Sequence, residues 1–288
     1  MHDETRARLQ VLGAAVLFST GGAVVKLTEL DGWQIAGLRS ALATLTLFLV
    51  LPGARRRWTG DALAVGVAYA GALIGFTLAT KWTTAANAVF LAATAPLYVA
   101  LLSPWLLKER LRRSDLGFMV VMAGGLALCL TDSEARFATA PQPALGNAVA
   151  ILTGVLWALT VLGLRLLGKA GDPSDRQGVA VVSGNLMALV ICLPRVVPVP
   201  SLELSDVLVL AYLGTIQIGL AYVFLNAGLR RVPALEASLL MLSEPVLNSL
   251  LTWLVHGEVQ GRWAMLGAGL ILIATVLKAV LTRGGPPP

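Results

Sequence analysis

Charged side chains are scarce in this sequence, and their scarcity decides the class of protein. Asp, Glu, Lys and Arg make up 13% of the 288 residues, whereas hydrophobic residues make up 57%. Soluble globular domains carry about a quarter charged residues and about half apolar ones. A soluble protein of this composition would leave much apolar surface with no place to be buried. The sequence therefore predicts a membrane protein.

Residues and motifs that hold metals or nucleotides are also rare. The two cysteines, Cys129 and Cys192, lie inside apolar runs without the spacing of metal ligands, so we interpret them as small buried residues. No G-x-x-x-x-G-K-[S/T] loop occurs, which excludes an ATP-driven pump within this chain. The net charge of +6 is spread in short clusters between apolar runs rather than in one basic patch. We expect no cofactor, no metal ion and no nucleic-acid partner.

Ten apolar runs are long enough to cross a bilayer, for which a helix needs roughly 20 residues. In lipid every backbone polar group must be satisfied within its own segment, so these spans should be helices. The predicted spans, numbered 1 to 10, are 9–27, 33–52, 61–80, 85–107, 114–131, 144–167, 177–194, 205–228, 235–255 and 262–281. The longest predicted irregular connectors are residues 131–143 and the Pro-rich stretch 193–206.

Lysine and arginine are distributed unequally between the two sides of these spans. Sixteen of the 22 fall on the side of the N-terminus, five fall on the opposite side, and Arg39 lies within span 2. Positive residues are enriched on the cytoplasmic side of membrane proteins. This asymmetry predicts that both termini are cytoplasmic.

Two segments of the chain align without gaps: "NAVFLAATAPLYVALLSPWLLKERL" (87–111) and "EASLLMLSEPVLNSLLTWLVHGEVQ" (236–260). In both, a glutamate follows thirteen residues after a proline. The aligned pairs are Pro96 with Pro245 and Glu109 with Glu258. We interpret the two glutamates as capping or turn-pairing residues. The alignment predicts that the chain consists of two copies of one unit.

Each predicted unit has five spans, so the second enters the membrane from the side opposite to the first. The units are residues 1–131 and 144–283, joined by a loop at 132–143 and followed by a tail at 284–288. Inverted repeats of this kind occur in secondary transporters, whose substrate site lies near the membrane midplane between the halves. We expect an all-α polytopic membrane protein with ten transmembrane helices, arranged as two inverted five-helix repeats around a central cavity.

The chain resembles the ten-helix EamA-type members of the drug/metabolite transporter superfamily. The resemblance rests on the paired segments Ala95–Pro96…Glu109 and Glu244–Pro245…Glu258, on an aromatic residue in spans 1 and 6 (Phe18 and Trp157), and on Arg39 in span 2. Within the family it resembles the YddG-type branch of amino-acid exporters, which exports aromatic amino acids and paraquat-like compounds. The resemblance implies a cavity lined by spans 1, 3, 4, 6, 8 and 9, with spans 5 and 10 peripheral. It also implies small organic substrates and a bacterial cytoplasmic (inner) membrane.

Related four-helix multidrug proteins use a membrane-buried glutamate in their first helix. They rely on it for proton coupling. Span 1 of this chain, "LGAAVLFSTGGAVV" (12–25), contains no acidic residue, so this proton-coupling mechanism is not carried over.

Glu244 is the acidic residue that we place deepest in a span. It lies ~14 Å from the start of span 9 at 1.5 Å per residue, close to the midplane, where a charge costs about 2.5–3.5 kcal/mol. Pro245 removes a backbone donor and loosens the helix beside the carboxyl group. Glu244 is either a proton-sensitive residue or anchor for a substrate amine, or a neutral or paired carboxyl that only ties helices together.

Arg39 is the matching basic residue, ~9 Å inside span 2 by helical rise. It could snorkel to the surface, form a charge pair with Glu244, or hold a substrate carboxylate. An amino acid needs one acid for its amine and one cation for its carboxylate, and these two side chains are the only charged ones that we place well inside spans.

Other polar and aromatic residues share helix faces that should turn inward, either toward the cavity or toward neighbouring helices. The full set of candidate cavity residues is Phe18, Thr20, Phe76, Thr77, Thr94, Tyr98, Trp157, Tyr222, Asn226, Glu244 and Asn248, with Pro96 and Pro245 as candidate helix breaks.

We therefore predict a secondary transporter, not an enzyme, that exports amino acids or similar small metabolites by alternating access. Its partners are the lipid bilayer and a small-molecule substrate, and ten helices in one monomer suffice for a pathway. Transport of other metabolites, such as paraquat-like cations or nucleotide sugars, is the main alternative, although nucleotide sugars favour several intramembrane cations. A channel lacks a visible ring of like charges. An intramembrane hydrolase would need Ser183 with His256, which lies at a span edge.

Overall fold

The computed structural model describes residues 2–55, 57–106, 113–131, 140–169, 173–199, 201–229, 241, 243–258 and 261–282. These residues are helical, with no β-strand among them. The α-helices are α1 (His2–Val25), α2 (Gly32–Val50), α3 (Gly60–Trp82), α4 (Ala85–Ala92), α5 (Ala95–Leu106), α6 (Arg113–Thr131), α7 (Pro143–Lys169), α8 (Pro173–Val196), α9 (Leu204–Ala211), α10 (Ala221–Leu229), α11 (Ser243–His256) and α12 (Arg262–Thr282). A 3₁₀ turn covers Pro52–Arg55, and a π-helix, Tyr212–Leu220, joins α9 to α10.

Six of the described helical segments are long and apolar enough to cross a membrane: Thr5–Val25, Gly32–Val50, Gly60–Trp82, Pro143–Leu164, Arg176–Val196 and Leu204–Leu225. Shorter apolar helices lie at Ala85–Val99 and Met265–Ala274. An all-helical chain with this many apolar helices is a polytopic membrane protein, as the composition predicted. Residues 132–139 of the predicted loop, residues 235–240 and 242 of predicted span 9, and the predicted tail lie outside the described residues.

Predicted span 4 is interrupted near its middle. Helix α4 ends at Ala92 and α5 begins at Ala95, with a turn in which the Leu97 amide donates to the Thr94 carbonyl at 2.9 Å. A proline at position 96 has no N–H to continue the helical ladder. The interruption therefore falls directly before the residue at which the sequence predicted a helix break.

Helices α1 and α8 extend beyond the spans predicted from the sequence. Helix α8 continues through Pro194 to Val196, although we expected irregular structure from residue 193. Pro194 is tolerated because it lies in the last turn, and the ladder resumes with the Val197 amide donating to the Leu193 carbonyl at 2.9 Å. Helix α1 begins at His2 rather than at residue 9, because its polar first residues include several good helix formers.

Helix α3 lies at the centre of the bundle, where it packs mainly against α7 and α8. Helix α2 packs on α8, and α1 packs on α10 and α11. Helices α6 and α12 pack mainly on each other, which agrees with the peripheral position expected for spans 5 and 10. The α3–α8 crossing is close because Gly66 and Gly184 face each other: a Cβ on Gly184 would lie 2.8 Å from the Gly66 carbonyl oxygen.

Candidate functional site

Arg39 is a fully buried cation that contacts Leu73, a member of the largest apolar cluster among the described residues. Its side chain sits at 1% exposure, and one guanidinium nitrogen (Nη2) donates to the Leu73 carbonyl on α3 at 2.9 Å. The Nε–H has no hydrogen-bond partner among the described residues. A guanidinium has five N–H donors, and leaving them unmatched in a dry site is costly. Arg39 therefore has donor capacity that the described protein does not use.

Four aromatic rings lie in contact beside Arg39. Tyr222 on α10 packs edge-on against Phe18 on α1, with ring centroids 5.5 Å apart, and against Tyr69 on α3 at 5.8 Å. Trp157 on α7 packs against Tyr69 at 6.1 Å. We call these four residues the aromatic cluster. Aromatic rings present large apolar faces and a negative quadrupole, so this group suits a planar or a cationic organic molecule.

Glu244 lies in the first turn of α11 and is partly buried. It is close enough to Tyr222 to interact with it electrostatically, and Arg39 interacts with the same tyrosine. The direct Arg39–Glu244 pair that the sequence raised is not formed, since ion pairs between described residues join Lys26 with Glu258 and Arg176 with Asp61. Arg39 donates to a main-chain carbonyl instead. Tyr222 therefore interacts with both Arg39 and Glu244.

Two buried side-chain amides lie against Gly21 and Gly22 of α1. Asn248 on α11 donates its Nδ2 to the Ala85 carbonyl at 3.3 Å, and Gln217 in the π-helix points its Nε2 at the Phe18 carbonyl at 3.5 Å. A carbonyl can only accept, so each amide nitrogen is fixed and each amide oxygen faces away. The oxygens of both side chains have no partner among the described residues. The site therefore offers two free acceptors in addition to Glu244.

The π-helix and Gly21 together place Gln217 against α1. A Cβ at position 21 would lie 2.7 Å from the Gln217 amide nitrogen, so only glycine leaves room for that side chain. The Thr20 hydroxyl lies 3.0 Å from the Tyr212 hydroxyl and fixes the same contact one residue earlier. Short π-helical segments are rare and occur often at functional sites.

Comparison with known proteins decides which class of membrane protein carries these groups. The family description "EamA-like transporter family" matches the chain twice, at residues 5–131 and 144–279. The chain belongs to the EamA-like transporter family. As an EamA-like protein it is a membrane transporter rather than an enzyme, and it acts on a small molecule across a lipid bilayer. The family resemblance read from the sequence is confirmed at this level.

Two individual proteins illustrate the relationship of this EamA-like chain to others. It is 24% identical over 216 residues to the "Uncharacterized transporter YyaM" of Bacillus subtilis (strain 168). This alignment covers 73% of this chain and 68% of that protein. A crystal structure of another protein, 22% identical, has a TM-score of 0.64 over 97% of this chain and 98% of that one. The latter shows similarity of fold alone.

Of the remaining predicted site residues of this EamA-like chain, two threonines have local main-chain partners. Thr77 donates to the Leu73 carbonyl at 3.0 Å, and Thr94 donates to the Leu91 carbonyl at 2.5 Å. Phe76 and Tyr98 are partly buried. The side chains of Asn226 and Pro96 lie outside the described residues, whereas Pro245 is buried in the first turn of α11.

The structure does not pair Ser183 with His256, as an intramembrane hydrolase would require. Ser183 on α8 donates to the Ala180 carbonyl at 3.1 Å, and the His256 ring nitrogen contacts the Ala23 carbonyl at 2.8 Å, so each has its own main-chain partner. No group of three or more His, Cys, Asp or Glu side chains suited to a metal ion occurs in the described ranges.

Sequence reasoning missed Tyr69 and Gln217. Tyr69 is one of several aromatics in apolar spans, and no spacing distinguishes it. Gln217 carried a signal that could have been used, because an uncharged amide inside a long apolar run is expensive unless it faces protein.

Proposed function

We propose that this chain is a ten-span secondary transporter that exports amino acids, preferentially aromatic ones, across a bacterial cytoplasmic membrane. The proposal combines the family with the site. The two family matches, at residues 5–131 and 144–279, support two repeats of five spans each. Because five is odd, the repeats are inverted, and the Lys and Arg bias places both termini in the cytoplasm. One monomer contains the whole pathway.

The observation that carries the substrate class is the unused donor capacity of Arg39, together with an acid, Glu244, that interacts with the same tyrosine. A buried guanidinium with a free Nε–H suits a carboxylate, which it binds through parallel hydrogen bonds. Glu244 and the unpartnered oxygens of Gln217 and Asn248 are acceptors and suit an ammonium group. A molecule with both groups on neighbouring atoms is an amino acid.

The aromatic cluster supplies the preference for aromatic side chains. Phe18, Tyr69, Trp157 and Tyr222 come from α1, α3, α7 and α10, so both family matches contribute rings. A substrate ring that inserts among them replaces ring contacts within the protein by ring contacts with substrate, at little loss of packing. Small substrates such as alanine cannot do so.

Transport then follows from relative movement of the two repeats. With the site empty, the buried charge of Arg39 and the carboxyl of Glu244 lack full partners, which opposes closure around an empty site. A bound amino acid satisfies both groups and allows the site to close on either side of the membrane. The movement changes the side from which the site is reached, not the contacts that hold the substrate.

The experiment is counterflow in proteoliposomes. Purified protein is reconstituted with unlabelled amino acids inside, and entry of radiolabelled phenylalanine is followed, with liposomes loaded with a paraquat-like dication or a nucleotide sugar as parallel tests. We expect saturable phenylalanine exchange that is lost in Glu244→Gln and kept in Glu203→Gln, a change at the exposed start of α9. Exchange of the dication or nucleotide sugar without exchange of any amino acid would contradict the proposal.

An organic cation is the second candidate, and one observation favours it. Glu244 interacts electrostatically with Tyr222 of the aromatic cluster, and an acid near aromatic rings suits quaternary or delocalised cations. Arg39 argues against it, because a second cation in the site would repel such a substrate.

A further inference from the structure

One end of the bundle is closed by a buried ion pair between residues 232 positions apart in the chain. Lys26 follows the last residue of α1, and Glu258 lies two residues after the end of α11. The Lys26 Nζ and the Glu258 Oε1 are 2.5 Å apart, and the two side chains have 3% and 0% exposure. The sequence indicated a capping or turn-pairing role for Glu258, and it gave no sign of the contact with Lys26, which follows α1.

Both members of the pair also bind the start of α4. Lys26 donates to the Thr83 carbonyl at 2.9 Å, and the second oxygen of Glu258 accepts the Ala85 amide at 2.9 Å. We call Lys26, Glu258, Thr83 and Ala85 the latch. His256, in the last turn of α11, contacts the Ala23 carbonyl of α1 beside it. The latch therefore ties α1, α4 and α11 into one closed end.

The latch joins the two family matches and reaches the candidate site. Helices α1 and α4 belong to the match at residues 5–131, whereas α11 belongs to the match at 144–279. The Ala85 amide donates to Glu258, and the Ala85 carbonyl accepts a hydrogen bond from Asn248. Ala85 therefore connects the latch to the candidate site. Any separation of the two halves at this end must break these bonds.

An ion pair is an unusual choice for a permanently closed end. Removing two charges from water has a free-energy cost that the burial of apolar side chains does not have. Replacing buried ion pairs by apolar residues is therefore often neutral or stabilising. The other ion pair between described residues, Arg176 with Asp61, has 36% and 49% exposure and carries no such cost. A charged pair differs from apolar side chains in one respect. Its members are stabilised by each other when this end is closed, and by water when this end is open.

We propose that the latch is the gate of the transport pathway at this end, and that opening to that side requires Lys26 and Glu258 to separate and become hydrated. The inference does not depend on the substrate. It makes two opposite predictions. Neutralising one partner leaves an unpaired buried charge, which favours the open, hydrated end. Replacing both partners with apolar residues removes the hydration gained on opening and favours the closed end.

The test measures the width of this end directly. Spin labels are attached at Leu27→Cys and Val255→Cys, two exposed positions beside the latch, in a background without native cysteines. Double electron–electron resonance in liposomes then reports the distance between the ends of α1 and α11. The parent is compared with Glu258→Gln, Lys26→Met, the double variant Lys26→Met/Glu258→Leu, and Asp61→Asn as the control at the exposed pair.

We expect a longer-distance population that grows in each single variant, shrinks below the parent level in the double variant, and is unchanged in Asp61→Asn. Should a single variant fail to fold, the double variant, which has no orphan charge, still decides. Equal distance distributions in the parent and the double variant would overturn the proposal. These outcomes require no transported substrate, so they are distinguishable from failure of the amino-acid assignment.

Discussion

Arg39 on α2 and Thr77 on α3 donate to the same acceptor, the Leu73 carbonyl oxygen, at 2.9 and 3.0 Å. As part of an α-helix this carbonyl also accepts the Thr77 amide, so it has no capacity left for a further donor. The arrangement holds one face of the guanidinium against α3 and leaves the Nε–H without a protein partner. Arg39 is thus positioned by the protein but not satisfied by it, which is the property expected of a group that binds substrate.

Replacement of Arg39 should separate substrate binding from stability. We expect Arg39→Met to raise the Km for phenylalanine by roughly tenfold or more, because a hydrogen bond to a charged group contributes about 1.5–3 kcal/mol. Thermal stability should be equal or higher, since a buried charge is removed. Thr77→Val is the matched control, because it removes the other hydrogen bond to the same carbonyl. A similar loss of transport in both variants would assign Arg39 a structural role.

Gln217 should show the opposite trends in stability and function. Its unpartnered amide oxygen costs about 1–3 kcal/mol when buried. Gln217→Leu, of similar size, should therefore raise the thermal unfolding midpoint in detergent while weakening phenylalanine uptake. Asn185→Leu, which also removes a buried amide whose oxygen has no partner among the described residues, is the comparison on α8. An unfolding midpoint that falls in Gln217→Leu would show that the amide is satisfied in the native protein.

Trp157 should discriminate between substrates by size. Its ring packs on Tyr69 in the aromatic cluster, and such ring pairs contribute about 0.5–1.5 kcal/mol beyond burial. We expect Trp157→Ala to lower uptake of phenylalanine and tryptophan more than uptake of alanine in a competition assay. Trp105→Ala, at a position with 86% exposure, should leave all three unchanged. Equal losses for all substrates would place the site elsewhere.

Gly22 should not accept a side chain. A Cβ there would meet the Asn248 amide oxygen and would lie 3.0 Å from the Ala85 Cβ. Overpacking of this kind costs about 1–3 kcal/mol, so Gly22→Ala should lower the unfolding midpoint. Gly124→Ala on α6, where a Cβ meets no described atom within 4 Å, should leave it equal or raise it slightly. The comparison fails if both alanine variants have the same midpoint.

The class of fold was readable from the sequence, but long-range pairing was not. Long apolar runs predict helices in lipid because nothing else satisfies the backbone there, and the helical break before Pro96 follows from the missing N–H of proline. The sequence gave no sign that Lys26 contacts Glu258, because a sequence shows neighbours along the chain and not across the bundle. Their contact required the packing of α1 against α11.

The same limit applies within the site. Phe18 and Trp157 were candidates from their matching repeat positions, and Tyr222 was one from its helix face. Trp157 joins this group through a residue that was not a candidate, Tyr69. Gly184 makes room for the Tyr69 ring, since a Cβ there would lie 2.6 Å from the Tyr69 Cδ1. Such a fit between two helices depends on their register at the crossing, which periodicity alone does not determine.

The most direct test of the central claim compares the transport of three molecules that differ by one charged group. Phenylalanine, phenethylamine and 3-phenylpropionate compete for labelled phenylalanine uptake in proteoliposomes of the wild type, Arg39→Met and Glu244→Gln. We predict that the wild type strongly prefers phenylalanine, that Arg39→Met loses its discrimination against the amine, and that Glu244→Gln loses its discrimination against the acid. Unchanged preferences in both variants would show that neither residue contacts the substrate and would contradict the account.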